Sequence, residues 1–131
     1  MPTTNILLDT NFLLIPAQFK VDIFSEIDRI ADFRYKVIVL DKTIDELKKI
    51  IKEQKGKNKR AASLALQLLK TKHIKTLNTQ KLYKPVDEII LNLAKKSFSI
   101  VATQDKALKT RLKAKGVKLI VLRQKKYLKI L

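Results

Sequence analysis

The sequence predicts an α/β fold built on a mostly parallel sheet, and two observations lead there. Five short runs rich in Ile, Leu and Val, at residues 6–8, 37–40, 74–77, 100–102 and 119–122, lack apolar–polar alternation, so each reads as a strand buried on both faces. Helical patterns lie between them, and strands alternating with helices imply crossovers between parallel neighbours. With 131 residues, 46% hydrophobic and 31% charged, the chain has the size and composition of one folded domain spanning 1–131.

Each helical segment carries its own apolar face at helical spacing. Residues 22–31 align Ile23, Ile27 and Ile30; residues 43–51 align Ile44, Leu47 and Ile51. Leu64, Leu68 and Leu69 mark 60–70, while Ile89, Ile90, Leu93 and Ala94 mark 86–95. Leu108 and Leu112 mark the last helix, 107–114. The polar stretch 52–60, KEQKGKNKR, contains Gly56 and reads as a turn between helices. The C-terminal RQKKYLKIL fits either a last strand or a basic tail.

Charge is distributed unevenly. Residues 1–50 carry seven Lys/Arg against eight Asp/Glu, whereas 51–131 carry 22 against four, within a net charge of +17. Such a field attracts a polyanion, and nucleic acid is the expected one. Lys outnumbers Arg by 24 to five, which suits phosphate contacts better than bidentate base reading. The residues assigned to those contacts are Lys52, Lys55, Lys57, Lys59 and Arg60 around the turn, and Lys106, Lys109 and Arg111 on the last helix. A lysine-rich solvated surface is the plainer reading of the same composition. No apolar run reaches membrane-spanning length, the first residues lack the basic region of a signal peptide, and a cytoplasmic protein without membrane contacts is expected.

Missing parts exclude several chemistries. The only glycines, Gly56 and Gly116, leave no phosphate loop and no dinucleotide fingerprint. A single histidine, His73, and no cysteine rule out paired-histidine hydrolysis, cysteine-ligated zinc and disulfides; His73 reads as an ordinary strand-edge residue. Carboxylates remain. In a parallel sheet, ligands bind beyond the carboxyl ends of the strands. Asp9 follows the run 6–8 directly, and Asp105 follows 100–102 after Thr103 and Gln104. Glu46 falls in the first turn of the helix after 37–40, and Asp87 opens the helix after Pro85. Each has a structural alternative: a Thr43–Glu46 capping box, or an acid favoured by a helix dipole. Four converging acids would repel one another unless a cation joined them. Oxygen ligands in a polar cleft suit Mg2+ or Mn2+, which support phosphodiester hydrolysis.

Leu7-Leu8-Asp9-Thr10-Asn11, Glu46 in TIDELKKI, Asp87 with Ile89, Ile90 and Ala94, and VATQD ending at Asp105 occur in one order along nearly the whole chain. In this the sequence resembles the PIN-domain nucleases. The resemblance implies a PIN-like three-layer α/β/α sandwich with a mostly parallel central sheet of four to five strands. It implies an endoribonuclease in which Asp9, Glu46, Asp87 and Asp105 are catalytic and bind one or two Mg2+ or Mn2+ ions, supported by Asn11 and Thr103 in a second shell. Water activated by the metal would attack phosphorus and leave 5′-phosphate and 3′-hydroxyl ends. Asp45 and Glu88 stand beside matched positions, and either could replace its neighbour. The acidic pair, the basic helix after T-x-D and the RQKKY end look more like the PIN nucleases that process small-subunit ribosomal RNA. The runner-up is the VapC-type toxin branch, whose members are silenced by an antitoxin; homodimers are expected by resemblance only. A receiver-like signalling domain would want adjacent acids after the first strand and an Asp after the third; Asp9-Thr10-Asn11 and Leu77-Asn78-Thr79 supply neither. A non-catalytic PIN-like RNA-binding module is the remaining alternative.

Overall fold

The computed structural model describes residues 2–80, 83–98 and 100–131. In chain order these form β1 (Thr4–Leu8), a 3-10 turn (Phe12–Leu14), α1 (Ile15–Phe19), α2 (Ile23–Ile30), β2 (Tyr35–Leu40), α3 (Asp41–Glu53) and α4 (Lys57–Thr71). There follow β3 (Lys75–Leu77), α5 (Val86–Leu93), β4 (Ile100–Ala102), α6 (Lys106–Ala114), β5 (Lys118–Arg123) and β6 (Tyr127–Ile130).

The strands make one sheet in the order β3-β2-β1-β4-β5-β6. All neighbours are parallel except β5 and β6. The sheet has six strands, one more than the upper expectation, because RQKKYLKIL is a strand rather than a tail. Its signal is a period of two: Tyr127 and Lys129 are exposed while Leu128 is buried, as on an edge strand covered on one face.

Alternation along β1 builds both layers of the core. Ile6 and Leu8 face one side with Phe12, Ile23, Ile27, Ala62, Ala65 and Leu128. Leu7 faces the other with Ile89, Ile90, Leu108 and Leu112. The result is an α/β/α sandwich in which continuous apolar runs are required, since both faces of every central strand are covered.

Four helical expectations needed correction. A 3-10 turn and the five-residue α1 follow β1, where no helix was assigned from sequence; a helix this short has no repeating face to read. α3 begins at Asp41, directly after β2, with Leu40 as its cap and no side-chain capping bond, so the Thr43–Glu46 box does not form and Glu46 lies in the second turn. α4 buries Ala61, Ala62, Ala65 and Leu69 rather than Leu64 and Leu68, because small side chains allow closer approach to its neighbours. α5 stops at Leu93 and buries Leu91; Lys95, at φ +72, then turns the chain, and its amide donates to the Phe98 carbonyl at 2.8 Å. The expected turn in 52–60 narrows to the residues around Gly56, whose φ of +67 and ψ of −132 lie in a region that glycine alone enters freely. Among the described residues no helix is long and apolar enough to cross a membrane.

Candidate active site

The chain leaves β1 with β2 on one side and β4 on the other. The helices after β1 and β4 therefore pack on opposite faces and leave a crevice beyond the carboxyl ends of this pair, the usual ligand position in a parallel sheet. Asp9 sits at its floor, the first residue beyond β1, with 9% of its surface exposed. Its amide donates to the Ala102 carbonyl at 3.0 Å, continuing the β1–β4 ladder one step past the strand and fixing where the side chain starts.

Two donors hold the Asp9 carboxylate. The Thr10 amide donates to Oδ1 at 2.8 Å and the Thr103 hydroxyl to Oδ2 at 2.9 Å. Thr103, fully buried, also accepts from the Asp105 amide at 3.1 Å, so one hydroxyl links the first acid to the backbone of the last. Asp105 caps α6, accepting from the Leu108 amide at 3.0 Å, which leaves Oδ2 free of that bond. On the other side, the Thr10 hydroxyl donates to Glu46 Oε1 at 3.2 Å and lies 3.4 Å from the buried Thr43 hydroxyl. Thr10 thus joins Asp9 to Glu46 through its amide and its hydroxyl.

The acids sense one another. Burial pushes the Asp9 carboxyl above the usual carboxylate range; its two hydrogen bonds oppose the shift, and the charges of Asp105 and Asp87 add to it. Glu46 is also raised, chiefly by desolvation and further by Asp9 and Asp87, with Thr10 and Lys49 opposing. Asp87, in the first turn of α5, is tied to the group through its field. The neighbouring Glu88 pairs with Arg111 at 2.8 Å, while Asp45 and Glu46 are both exposed and Glu46 alone holds a bond to Thr10. Asn11 is exposed and its side chain makes no capping bond.

Sequence reading gave three groups here no role in the site. Thr10 and Thr43 act through contacts 36 and 33 residues apart, although Thr10's place directly after Asp9 was a signal. Asp41, also at a strand's carboxyl end, ties down the segment after β3: the Thr79 hydroxyl donates to Oδ1 and the Thr79 amide to Oδ2 at 3.1 Å. Desolvation raises this carboxyl, but the Thr79 hydroxyl and amide and the Lys42 amide outweigh it and hold it below the ordinary range. Asp41 is a brace beside the crevice.

The basic residues fall into two groups. Lys52, Lys55, Lys57, Lys59 and Arg60 are exposed at the α3–α4 turn, and Lys57 and Arg60 line a groove of about 430 Å³ with Ala17 and Gln18 of α1. Lys106, Lys109 and Arg111 lie on α6, behind Asp105. Arg111 is engaged by Glu88. Lys109 is held below the usual lysine range by desolvation and by Arg123 and Lys106, with Asp105 opposing.

Chemically, the acids and the threonines bonded to them offer oxygen donors: carboxylates at several depths, joined by threonine hydroxyls. Among the described residues, the ion pairs Arg29–Glu26 and Arg111–Glu88 involve none of the four acids. Among the described residues, no three acids stand close enough together to hold a metal ion as they are arranged. Oxygen-only ligands with repelling charges fit a hard divalent cation that keeps part of its water shell.

A family model described as a PIN like domain matches residues 6–125. The chain is 38% identical to Ribonuclease VapC4 of Methanocaldococcus jannaschii over 128 residues, 95% of each chain. Among solved structures, the PIN domain endonuclease Utp24 superposes with a TM-score of 0.77 at 21% identity, over 96% of this chain and 90% of that one. A domain of a functionally unknown protein from Methanocaldococcus jannaschii DSM 2661 gives 0.63 at 20% identity, with 92% of each chain covered.

Proposed function

The chain belongs to the PIN-like domain family, and from that premise we propose that it is a metal-dependent endoribonuclease. In this reading Asp9, Glu46, Asp87 and Asp105 hold one or two Mg2+ or Mn2+ ions. The observation that carries it is the placement of Asp9, nearly buried between β1 and β4, raised by burial and by two further acids. A buried carboxylate whose neighbours are also acids is stabilised in its charged form by a cation beside it. Its relative named Ribonuclease VapC4 supports the reaction class.

When bound, the ions would supply Lewis acidity that activates water and neutralises the leaving oxygen. The chain's own groups do the positioning. Thr103 fixes Asp9 Oδ2 and the Asp105 backbone, while Thr10 sets Glu46 against Asp9. Lys106 and Lys109 flank Asp105 and would hold the phosphates of the strand beside the crevice.

For the substrate, a ribosomal RNA precursor is the first reading. It is supported by the basic helix after Asp105, the RQKKY end and the +17 charge, all suited to a large folded RNA. The second is a VapC-type toxin with an antitoxin partner, favoured by the 38% identity to Ribonuclease VapC4. Incubation with total RNA and Mn2+, followed by mapping of 5′-phosphate ends, tests both. Discrete cuts in precursor rRNA support the first, cuts in another RNA species the second, and no new 5′-phosphate ends would exclude the nuclease.

A further inference from the structure

A cavity lies at the opposite edge of the sheet from the acids. It holds about 630 Å³ and is lined by Phe24, Tyr35, Lys36, Lys72, His73 and Lys75, among others. Tyr35 and Lys36 open β2, and residues 72–75 lead from α4 into β3, so the cavity sits at the amino ends of two parallel strands. The length of β2 alone separates this edge from the crevice by about 16 Å.

Its chemistry combines cations with rings. Three lysines face one lining acid, Asp28, which already accepts the Tyr35 hydroxyl at 3.1 Å. The Lys72 ammonium rests 5.8 Å from the centre of the Phe24 ring, an exposed cation on an aromatic face. His73 brings a second ring in a conformation that disfavours it. The Ile74 amide donates to Leu69 and the His73 amide to Lys70, at 3.0 and 3.2 Å, so α4 ends in a motif whose left-handed residue is ordinarily glycine. Here that residue is His73, at φ +54. The other non-glycine residues at positive φ are Lys20, Lys95, Gln124 and Lys125, and none of them brings a ring. Strain retained at a ring that lines a cavity points to use of the ring.

We propose that this cavity binds one nucleotide of a single-stranded RNA segment, as a second contact remote from the carboxylates. The base stacks on the exposed His73 ring beside the Lys72-covered Phe24, and Lys36, Lys72 and Lys75 take the flanking phosphates, a stacking platform within a positive groove. The identity of the polymer as RNA rests on the nuclease reading; the pocket chemistry does not.

The test measures anisotropy of a labelled 20-nucleotide single-stranded RNA on the Asp9→Asn protein in EDTA, so binding is read without cleavage. His73→Gly should melt at a higher temperature, because glycine relieves the left-handed strain, yet bind about tenfold more weakly. Lys72→Gln with Lys75→Gln should reduce the slope of log affinity against log salt by about 1.4. Unchanged affinity in His73→Gly overturns the proposal even if the wild type cleaves RNA normally. Equally strong displacement by AMP alone makes it a free-nucleotide pocket and overturns the RNA assignment. Failure of the parent to bind the RNA at all overturns it as well.

Discussion

Replacing Thr103 with Val removes one hydroxyl and little volume, and its effect follows from two hydrogen bonds. The hydroxyl donates to Asp9 Oδ2 at 2.9 Å and accepts the Asp105 amide at 3.1 Å, at a residue with no exposed surface. A bond to a charged acceptor contributes about 1.5–3 kcal/mol, and the Asp105 amide, which water reaches in part, adds about 0.5–1. The new methyl returns about 0.8 through apolar burial. The metal-free variant should therefore be less stable by about 1–3 kcal/mol at pH 7, a fall of about 0.6–1.6 M in the urea midpoint. The Thr103 bond favours ionised Asp9, so the difference should be complete above the folded-state pKa of Asp9 and shrink as pH falls through it. Affinity for Mn2+ should drop about 10–100-fold, as for other groups that orient a ligand. A midpoint shift below about 0.3 M, or one independent of pH, would refute this account of Thr103.

Other outcomes follow from the same geometry. Because Asp9 and Glu46 are raised in the folded protein, they destabilise it as pH climbs from the ordinary carboxylate range through their raised values. The melting temperature of the metal-free protein relative to Asp9→Asn should fall over that window, and saturating Mn2+ should abolish the fall; a flat difference would contradict it. Asp41 has the opposite sign: its lowered carboxyl contributes stability above the ordinary range that is lost as pH drops through its folded value, so Asp41→Asn should flatten the acid limb of the melting curve. Thr79→Val, which removes the donor to Asp41, should cost about 1–2 kcal/mol in urea unfolding without changing Mn2+ affinity. Glu88→Gln breaks only an exposed pair with Arg111 and should alter stability by under about 1 kcal/mol while keeping cleavage, whereas Asp87→Asn should lose it; equal losses would mean the wrong acid of the pair is assigned.

Much of the sheet was legible because burial on both faces forces unbroken apolar runs, and β4 matches its expected 100–102. Helix ends were less so. Thr43 and Glu46 have the spacing of a capping box, but Leu40 ends the strand so close to the turn that Asp41 already starts the helix. On α4 the leucines drew attention while the alanines made the contact. Asp9 and Asp105 were readable because the end of a parallel strand is a local feature with a known position. Thr10, Thr43 and Asp41 were not, since their roles depend on partners 33 to 38 residues away. The pairing of Glu88 with Arg111 was not readable either, since no local pattern joins Arg111 to α5.

The central claim, that carboxylates around Asp9 hold the ion with which the protein cuts RNA, is tested most directly by single-turnover cleavage across a Mn2+ titration. Wild type, Asp9→Asn and Asp105→Asn would be compared on one RNA substrate. The account predicts a wild-type rate that rises and saturates with Mn2+, and losses in both variants beyond the roughly 100-fold expected of a merely supporting group. Variants that cleave as fast as wild type at every Mn2+ concentration would contradict it.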